Sequence, residues 1–134
     1  MTKIERVCAI ARDFRDRSLR EAIDASGYRE IRSELTIPAL QDVLEDNPDL
    51  VEDWLRYSED KRTSGGWALD GDKEHGWHVE QPFPEHLPQG RANIGVRGPR
   101  RTYDRATTAC ADYILSEIDF WVAVEDERTS PTRH

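Results

Sequence analysis

One stretch of the chain, residues 104–124, carries the longest helical pattern of apolar side chains. Its apolar residues recur at intervals of three and four, and they are Ala106, Ala109, Cys110, Tyr113, Ile114, Ile118, Trp121 and Val122. This recurrence is typical of a helix face that packs against a core. The charged residues fall mostly on the opposite side, and they are Arg105, Asp112, Glu117 and Asp119. The pattern predicts a central core helix with Trp121 among its buried residues.

The length of the chain limits what this helix can belong to. With 134 residues, the chain is long enough for one core and too short for two independent ones. A charged fraction of 34% and a hydrophobic fraction of 37% are typical of a soluble globular protein. We therefore expect a single domain over residues 1–125, followed by a polar disordered tail over residues 126–134.

The N-terminal segment and the two cysteines indicate a cytoplasmic protein. No apolar run approaches the roughly 20 residues that cross a bilayer, and the first 18 residues are too charged for a secretory signal. Cys8 and Cys110 both fall on apolar helical stripes, so we expect two reduced core thiols.

Helical patterns also fill the first 60 residues. Residues 4–25 predict one helix that ends at Ser26 and Gly27, and residues 28–35 predict a shorter helical segment. Thr36 is the predicted N-cap of the next helix. Asn47 is expected to close that helix and to cap a following one, which starts at Pro48 and runs to about residue 60.

After residue 66 the apolar period changes from helical to alternating. Trp67 and Leu69 share a face of one predicted strand, and Trp77 and Val79 share a face of a second. The two tryptophans are expected either to form a cross-strand pair on the core helix or to lie at the rim of a binding surface.

A third strand is expected over residues 91–98, after a proline-rich loop, and residues 98–101 then lead into the core helix. The sequence thus predicts an α+β domain. It consists of N-terminal helices, a small antiparallel meander of about three strands and a long C-terminal helix packed on the sheet.

Acidic residues are concentrated in the middle of the chain. Residues 36–60 hold eight acidic groups and one basic group, within a chain whose net charge is -8. A net negative protein is repelled by nucleic acid and by anionic membranes, so neither is an expected partner. Such a segment is either a solvated helix face or a contact for a basic protein. The candidate partner-binding residues are Asp42, Glu45, Asp46, Asp49, Glu52 and Asp53.

A second candidate site is basic and aromatic. Arg side chains and the N–H groups at a helix N-terminus both favour anions, so a loop packed beside the start of the core helix would suit a phosphate. Loop arginines are also commonly solvated or paired with nearby carboxylates. The residues of this alternative anion or ligand site are Lys61, Arg62, Trp67, Trp77, Arg97, Arg100 and Arg101.

No set of residues indicates a metal site or a catalytic centre. His75 and His78 lie near Asp70, Asp72 and Glu80, and His86 follows, but the spacing is not that of a zinc motif. Neither cysteine has an activating neighbour in the sequence, and no P-loop, nucleophile elbow or dinucleotide motif occurs. We therefore expect no metal and no cofactor, we assign no catalytic residue, and we favour a binding protein over an enzyme.

Two segments resemble a known kind of protein. The phrases DWLRYSEDKRTSGGW and ATTACADYILSEIDFW, separated by a hairpin, are similar in organisation to small uncharacterised bacterial proteins, some of them similar to immunity proteins of toxin and immunity systems. The resemblance implies a cytosolic, acidic, non-enzymatic protein with one cognate partner. A basic, nuclease-like toxin would suit its acidic surface.

Two other classes of function stay open. One is a small-molecule or phosphate-binding protein, with or without enzymatic activity, that uses the basic and aromatic site. The other is a homo-oligomeric structural protein that associates through its edge strands. A deep pocket favours the first class, and a large symmetric apolar contact favours the second.

Overall fold

The computed structural model describes residues 2–14, 16–61, 66–81 and 100–129. Within these ranges the fold is α+β, as predicted, with helices first, then an antiparallel sheet and then a long C-terminal helix. The helices are α1 (Lys3–Cys8), α2 (Ile10–Asp13), α3 (Leu19–Ser26), α4 (Tyr28–Ile31), a 3-10 helix (Arg32–Glu34), α5 (Ile37–Asp46), α6 (Pro48–Lys61) and α7 (Ala106–Thr129). The strands are β1 (Ala68–Asp72), β2 (Gly76–Glu80) and β3 (Arg100–Tyr103).

Helix α7 is the central element, because it contacts α5, α6 and all three strands. Tyr113, Ile114 and Ile118 on this helix are fully buried, and Trp54 of α6 packs edge-on against Tyr113. The core extends to α1, where the carbonyl of Cys8 accepts a hydrogen bond of 2.7 Å from the Trp54 indole. The predicted core helix is confirmed.

Both cysteines are buried thiols in this core. Burial raises the pKa of the Cys8 thiol to about 12 and raises that of Cys110 well above its usual value. None of the helices in the described ranges combines the length and the apolar character that a membrane span requires.

The N-terminal region is not the single helix that the apolar stripe predicts. The chain turns at Ala9 and again after Asp13, so three short helices replace one. Ser18 is the physical reason for the second break, because its hydroxyl accepts from the Glu21 N–H while the Glu21 carboxylate accepts from the Ser18 N–H. The predicted end at Gly27 is confirmed, with φ at 76°.

The two helices of the acidic segment follow the prediction closely. The Thr36 hydroxyl accepts from the Ala39 N–H at the start of α5. The Asn47 N–H donates to the Leu44 carbonyl at the end of α5. The Asn47 carbonyl accepts from the Leu50 N–H in the first turn of α6. One residue therefore links α5 to α6.

The predicted hairpin is also confirmed, since β1 and β2 pair with Leu69 opposite Val79. Trp77 lies opposite Gly71 on one side and Tyr103 on the other, whereas Trp67 precedes β1 at the far end of the hairpin. The register therefore contradicts the expected cross-strand pair of tryptophans.

The third described strand is β3, in the segment that was expected to be a lead into the core helix. Its pairing with β2 is antiparallel, with Arg101 opposite Val79. Side-chain hydrogen bonds to α7, rather than apolar alternation, hold this strand in place. The strand predicted over residues 91–98 and the proline-rich loop before it lie outside the described residues.

Helix α7 runs to Thr129 and so includes residues 126–129, which the sequence assigns to a disordered tail. Two ion pairs extend the helix, one from Arg29 to Asp126 at 2.7 Å and one from Arg20 to Glu125 at 3.2 Å. Residues 130–134 lie outside the described part of the chain. Trp121 is half-buried against the core rather than fully buried.

Candidate functional site

Glu117 of α7 is the most enclosed charged residue of the described chain, with 0% of its surface exposed. Its carboxylate accepts hydrogen bonds from the Tyr57 hydroxyl at 2.6 Å, the Lys61 ammonium at 2.5 Å, the Trp67 N–H at 2.8 Å and the Trp121 indole at 2.9 Å. A buried carboxylate is tolerated only when donors and a counter-charge replace its lost water. These donors come from α6, the start of β1 and α7, so the group joins three elements.

The surroundings of Glu117 change the acidity of its partners. Burial lowers the pKa of Lys61, and the charge of Glu117 opposes that shift without cancelling it. Burial raises the pKa of Tyr57, and the same carboxylate raises it further. Tyr57 therefore stays a protonated donor at neutral pH.

The backbone of Gly66 packs directly against the Glu117 carboxylate. Its φ of +92° is a conformation that residues with a Cβ rarely adopt. A Cβ at this position would lie 2.5 Å from Glu117 Oε1 and 3.0 Å from Lys61 Nζ. Only glycine fits here without displacing the carboxylate.

A second buried carboxylate, Asp112, lies nearer the N-terminal end of α7. It accepts two hydrogen bonds from the Arg101 guanidinium, at 2.6 and 2.8 Å, and one each from Tyr103 at 2.8 Å and Ser116 at 2.9 Å. Burial alone would raise the pKa of Asp112, but the hydrogen bonds from Arg101, Tyr103 and Ser116 outweigh it and hold the pKa below its usual value. Asp112 therefore fastens β3 to α7.

The two carboxylates belong to one continuous arrangement, which we name the polar seam. Arg101 connects them, because its guanidinium lies 4.7 Å from the centre of the Trp67 ring while the Trp67 N–H binds Glu117. The members of the polar seam are Tyr57, Lys61, Trp67, Arg101, Tyr103, Asp112, Ser116, Glu117 and Trp121.

The polar seam contains three residues of the alternative anion or ligand site that the sequence predicts. The structure brings Lys61, Trp67 and Arg101 into this arrangement, but each of the two cations is bound to a buried carboxylate. Arg100 is exposed at the start of β3, and Trp77 lies elsewhere on the sheet. The other two members, Arg62 and Arg97, lie outside the described residues.

The six candidate contacts lie on the consecutive helices α5 and α6, and we name them together the acidic face. Five of them are exposed and Asp53 is half-buried. Arg12 of α2 pairs with Asp53 at 2.5 Å and with Asp49 at 3.4 Å, and Arg105 pairs with Glu45. Arginines distant in the sequence therefore neutralise part of this segment, in addition to Arg56 within it, which reaches Asp53 at 4.0 Å.

Three carboxylates of the acidic face differ from the others. Asp42, Asp46 and Glu52 are exposed, and they make no ion pair with any residue in the described ranges. Asp42 and Asp46 are one helical turn apart, which makes them neighbours of like charge on α5. These three groups are the unneutralised part of the face.

A cleft of about 530 Å³ lies between α2 and α6, beside the acidic face. Two rings line it, those of Phe14 and Tyr57, with centroids 4.7 Å apart. The charged residues that line it are Arg12, Asp53, Arg56, Asp60 and Lys61. It is a mixed aromatic and charged surface.

The two histidines of the hairpin contact different partners. His75 contacts Asp72 inside the β1–β2 turn, where the hydrogen bonds lower the pKa of that carboxyl, and His78 contacts Thr102 at 3.1 Å. His86 lies outside the described residues. Over the described positions, no group of three or more His, Cys, Asp or Glu side chains is arranged to hold a metal ion.

Sequence reasoning missed the burial of Glu117, although a signal was present. Glu117 stands three residues after Ile114 and four before Trp121, so it occupies a position on the apolar stripe itself. A charged residue at a stripe position indicates a buried charge that needs partners. Tyr57 and Lys61, one turn apart on α6, are those partners.

Comparisons with protein-family models, with curated proteins and with solved structures gave no match. The resemblance to immunity proteins therefore stays a prediction. The geometry of the polar seam, the acidic face and the cleft is what the functional proposals below depend on.

Proposed function

We propose that this protein is a non-enzymatic, cytoplasmic binding protein that captures a basic protein partner through its acidic face, in the manner of an immunity protein. One observation carries the proposal: Asp42, Asp46 and Glu52 are exposed on two adjoining helices and make no ion pair in the described part of the chain. A basic surface supplies the counter-charges that the described part of the chain does not.

The unneutralised carboxylates weaken the isolated protein slightly. Like charges one turn apart on a helix destabilise it by about 0.2 to 0.5 kcal/mol per pair. A complementary partner removes this repulsion when it binds, and its charge also accelerates the encounter. A surface that is slightly unfavourable alone and favourable in a complex is what the proposal requires.

The polar seam supports a binding role rather than a catalytic one. Lys61 and Arg101, two cations that were candidates for holding an anionic substrate, are hydrogen-bonded to Glu117 and Asp112. A side chain with these bonds must break them before it can bind a substrate, which costs free energy. In our proposal the seam maintains the fold that presents the acidic face.

The test compares the wild-type protein with two variants of equal charge. The first carries Asp42→Asn, Asp46→Asn and Glu52→Gln on the acidic face. The second carries Asp24→Asn, Glu30→Gln and Glu34→Gln, which are also exposed but lie on α3, α4 and the 3-10 helix. Each variant loses three negative charges, so a difference between them reports position rather than net charge.

Each protein is immobilised and exposed to lysate of the native host, and captured proteins are identified by mass spectrometry. We expect the wild type and the second variant to retain the same basic protein, which high salt releases, and the first variant to lose it. Stopped-flow mixing with the purified partner should then show slower association for the first variant. Equal capture by the two variants would contradict the proposal.

A further inference from the structure

The cleft between α2 and α6 has the size and lining of a small-molecule site. Its volume of about 530 Å³ lies within the range of roughly 300 to 1,000 Å³ that such sites occupy. Phe14 and Tyr57 are tilted by 45° to each other. The Tyr57 hydroxyl donates a hydrogen bond to the buried Glu117 carboxylate, so Tyr57 contributes its ring to the cleft.

Most of the charges that line the cleft are already neutralised. Lys61 is bound by Glu117, and Arg12 is bound by Asp53, which is the only acidic-face residue among the described lining. These pairs hold four charged side chains in place. They leave the cleft with little net charge from these groups.

Among the described residues of the lining, two charged groups remain open to a ligand. Arg56 is 59% exposed and only reaches Asp53 at 4.0 Å, and Asp60 is exposed and makes no ion pair with any described residue. The two lie one helical turn apart on α6, with Tyr57 in the turn between them. The cleft thus presents a cation, an aromatic surface and an anion.

We infer that this cleft binds a small aromatic zwitterion of the amino-acid class. Its ring packs against Phe14 and Tyr57, its carboxylate binds Arg56 and its ammonium group binds Asp60. A simple anion meets repulsion from Asp60, a simple cation meets repulsion from Arg56, and a neutral apolar ligand desolvates both charges without replacing their partners. A zwitterion satisfies both charged groups at once.

This inference is independent of the proposed macromolecular partner. The unneutralised carboxylates of the acidic face, Asp42, Asp46 and Glu52, do not belong to the described lining of the cleft. The triple variant of that face is therefore expected to bind the small ligand as the wild type does. Failure of either proposal leaves the other in place.

The first experiment is isothermal titration calorimetry of the full-length protein with L-phenylalanine. We expect saturable binding with Kd between about 10 µM and 1 mM, since a small ligand in an open cleft makes few contacts. Three probes each remove one feature: phenylacetate lacks the ammonium group, phenethylamine lacks the carboxylate and L-alanine lacks the ring. Each should bind at least about 10-fold more weakly.

The second experiment assigns the two charged groups with variants of exposed residues. Arg56→Gln and Asp60→Asn should each raise the Kd for L-phenylalanine by about 10-fold or more. Glu59→Gln removes an exposed acidic group next to Asp60 that is not part of the described lining, and it should leave the Kd unchanged. Melting temperatures measured alongside check that each variant is folded.

Five outcomes would overturn the inference. The first is the absence of saturable heat with L-phenylalanine up to about 10 mM, which exceeds the weakest expected Kd. The second is equal binding of phenylacetate or phenethylamine, and the third is equal binding of L-alanine. The fourth is unchanged affinity in both Arg56→Gln and Asp60→Asn. A Kd raised by Glu59→Gln as much as by Asp60→Asn would likewise show that general surface charge, rather than the cleft, binds the probe.

Discussion

The polar seam and the acidic face both depend on carboxylates, and the two regions use them in opposite ways. Glu117 and Asp112 are enclosed by protein and accept hydrogen bonds from several elements. Asp42, Asp46 and Glu52 are exposed to water and make no ion pair within the described chain. The donors that the rest of the chain supplies therefore decide whether a carboxylate holds the fold together or stays available to a partner.

The difference predicts very different responses to mutation. Removing one member of a buried charge pair leaves the other charged and without solvent, which costs several kcal/mol. Removing an exposed charge alters a group that water already solvates, and the typical effect is below 1 kcal/mol. The four predictions that follow test this contrast, beginning with the largest effect.

Glu117→Ala should lower the free energy of unfolding by about 3 to 5 kcal/mol. The substitution removes the carboxylate that pairs with the Lys61 ammonium group and accepts hydrogen bonds from Tyr57 and Trp121. Urea denaturation followed by circular dichroism measures the loss. The double variant Lys61→Met with Glu117→Leu should recover much of it, because both charges leave together. A loss below about 1 kcal/mol for Glu117→Ala would contradict the role of the seam.

Gly66→Ala should cost about 2 to 3 kcal/mol, the sum of backbone strain and displacement of Glu117. Gly27→Ala is the matched control, because Gly27 also has a positive φ of +76° while a Cβ there meets nothing closer than 3.9 Å. Its cost should be only the conformational part, about 1 to 2 kcal/mol. Equal losses for the two variants, measured by the same urea denaturation, would show that Glu117 shifts without cost.

Asp112→Asn should cost about 1 to 2 kcal/mol at neutral pH, because charge-assisted hydrogen bonds from Arg101 and Tyr103 are lost. The folded-state pKa of Asp112 is below the usual 3.8, so its contribution is present above that pH and is lost as the pH falls through the folded value. Unfolding free energies between about pH 5 and pH 2 should therefore fall less steeply for the variant than for the wild type. Parallel curves would contradict the assignment.

Neutralising Asp42, Asp46 and Glu52 together should change the free energy of unfolding by less than about 0.5 kcal/mol, with a small gain from reduced repulsion. Any gain should shrink when salt screens the charges. Thermal and urea unfolding at low and high ionic strength measure both effects. A loss above about 1 kcal/mol would mean that these groups stabilise the fold, as the carboxylates of the seam do.

Much of the fold was predictable from local patterns in the sequence. The cap at Thr36, the position of Asn47 between α5 and α6 and the hairpin that pairs Leu69 with Val79 depend on neighbouring residues, and all three are confirmed. The Asn47 side chain serves the end of α5, because its amide donates to the Val43 carbonyl. The break before α3 was missed although Ser18 and Glu21 have the spacing of a capping box. The apolar stripe of residues 4–25 suggested one continuous helix, because the spacing of apolar residues does not show where the backbone hydrogen bonds of one helix end.

The candidate site was predictable only in part, since its contacts join residues far apart in the chain. Exposure of the acidic face follows from composition, because charged residues on amphipathic helices face water by default. Its ion pairs do not follow, because Arg12 and Arg105 lie outside the segment. Strand β3 was missed for a related reason: Arg101 is oriented by its bonds to Asp112, and no alternation of apolar residues marks it.

The reaction of the two buried cysteines with a thiol reagent would report how often the protein opens. Thiol reagents attack the thiolate, and burial raises the pKa of the Cys8 thiol to about 12, so the thiolate is scarce at pH 7. Labelling therefore requires that the protein first expose the sulfur, and the labelling rate reports how often this opening occurs. Cys8 belongs to the short N-terminal helix α1 and Cys110 to the central helix α7. Faster modification of Cys8 than of Cys110 would show that the N-terminal helices open more often than the whole protein unfolds.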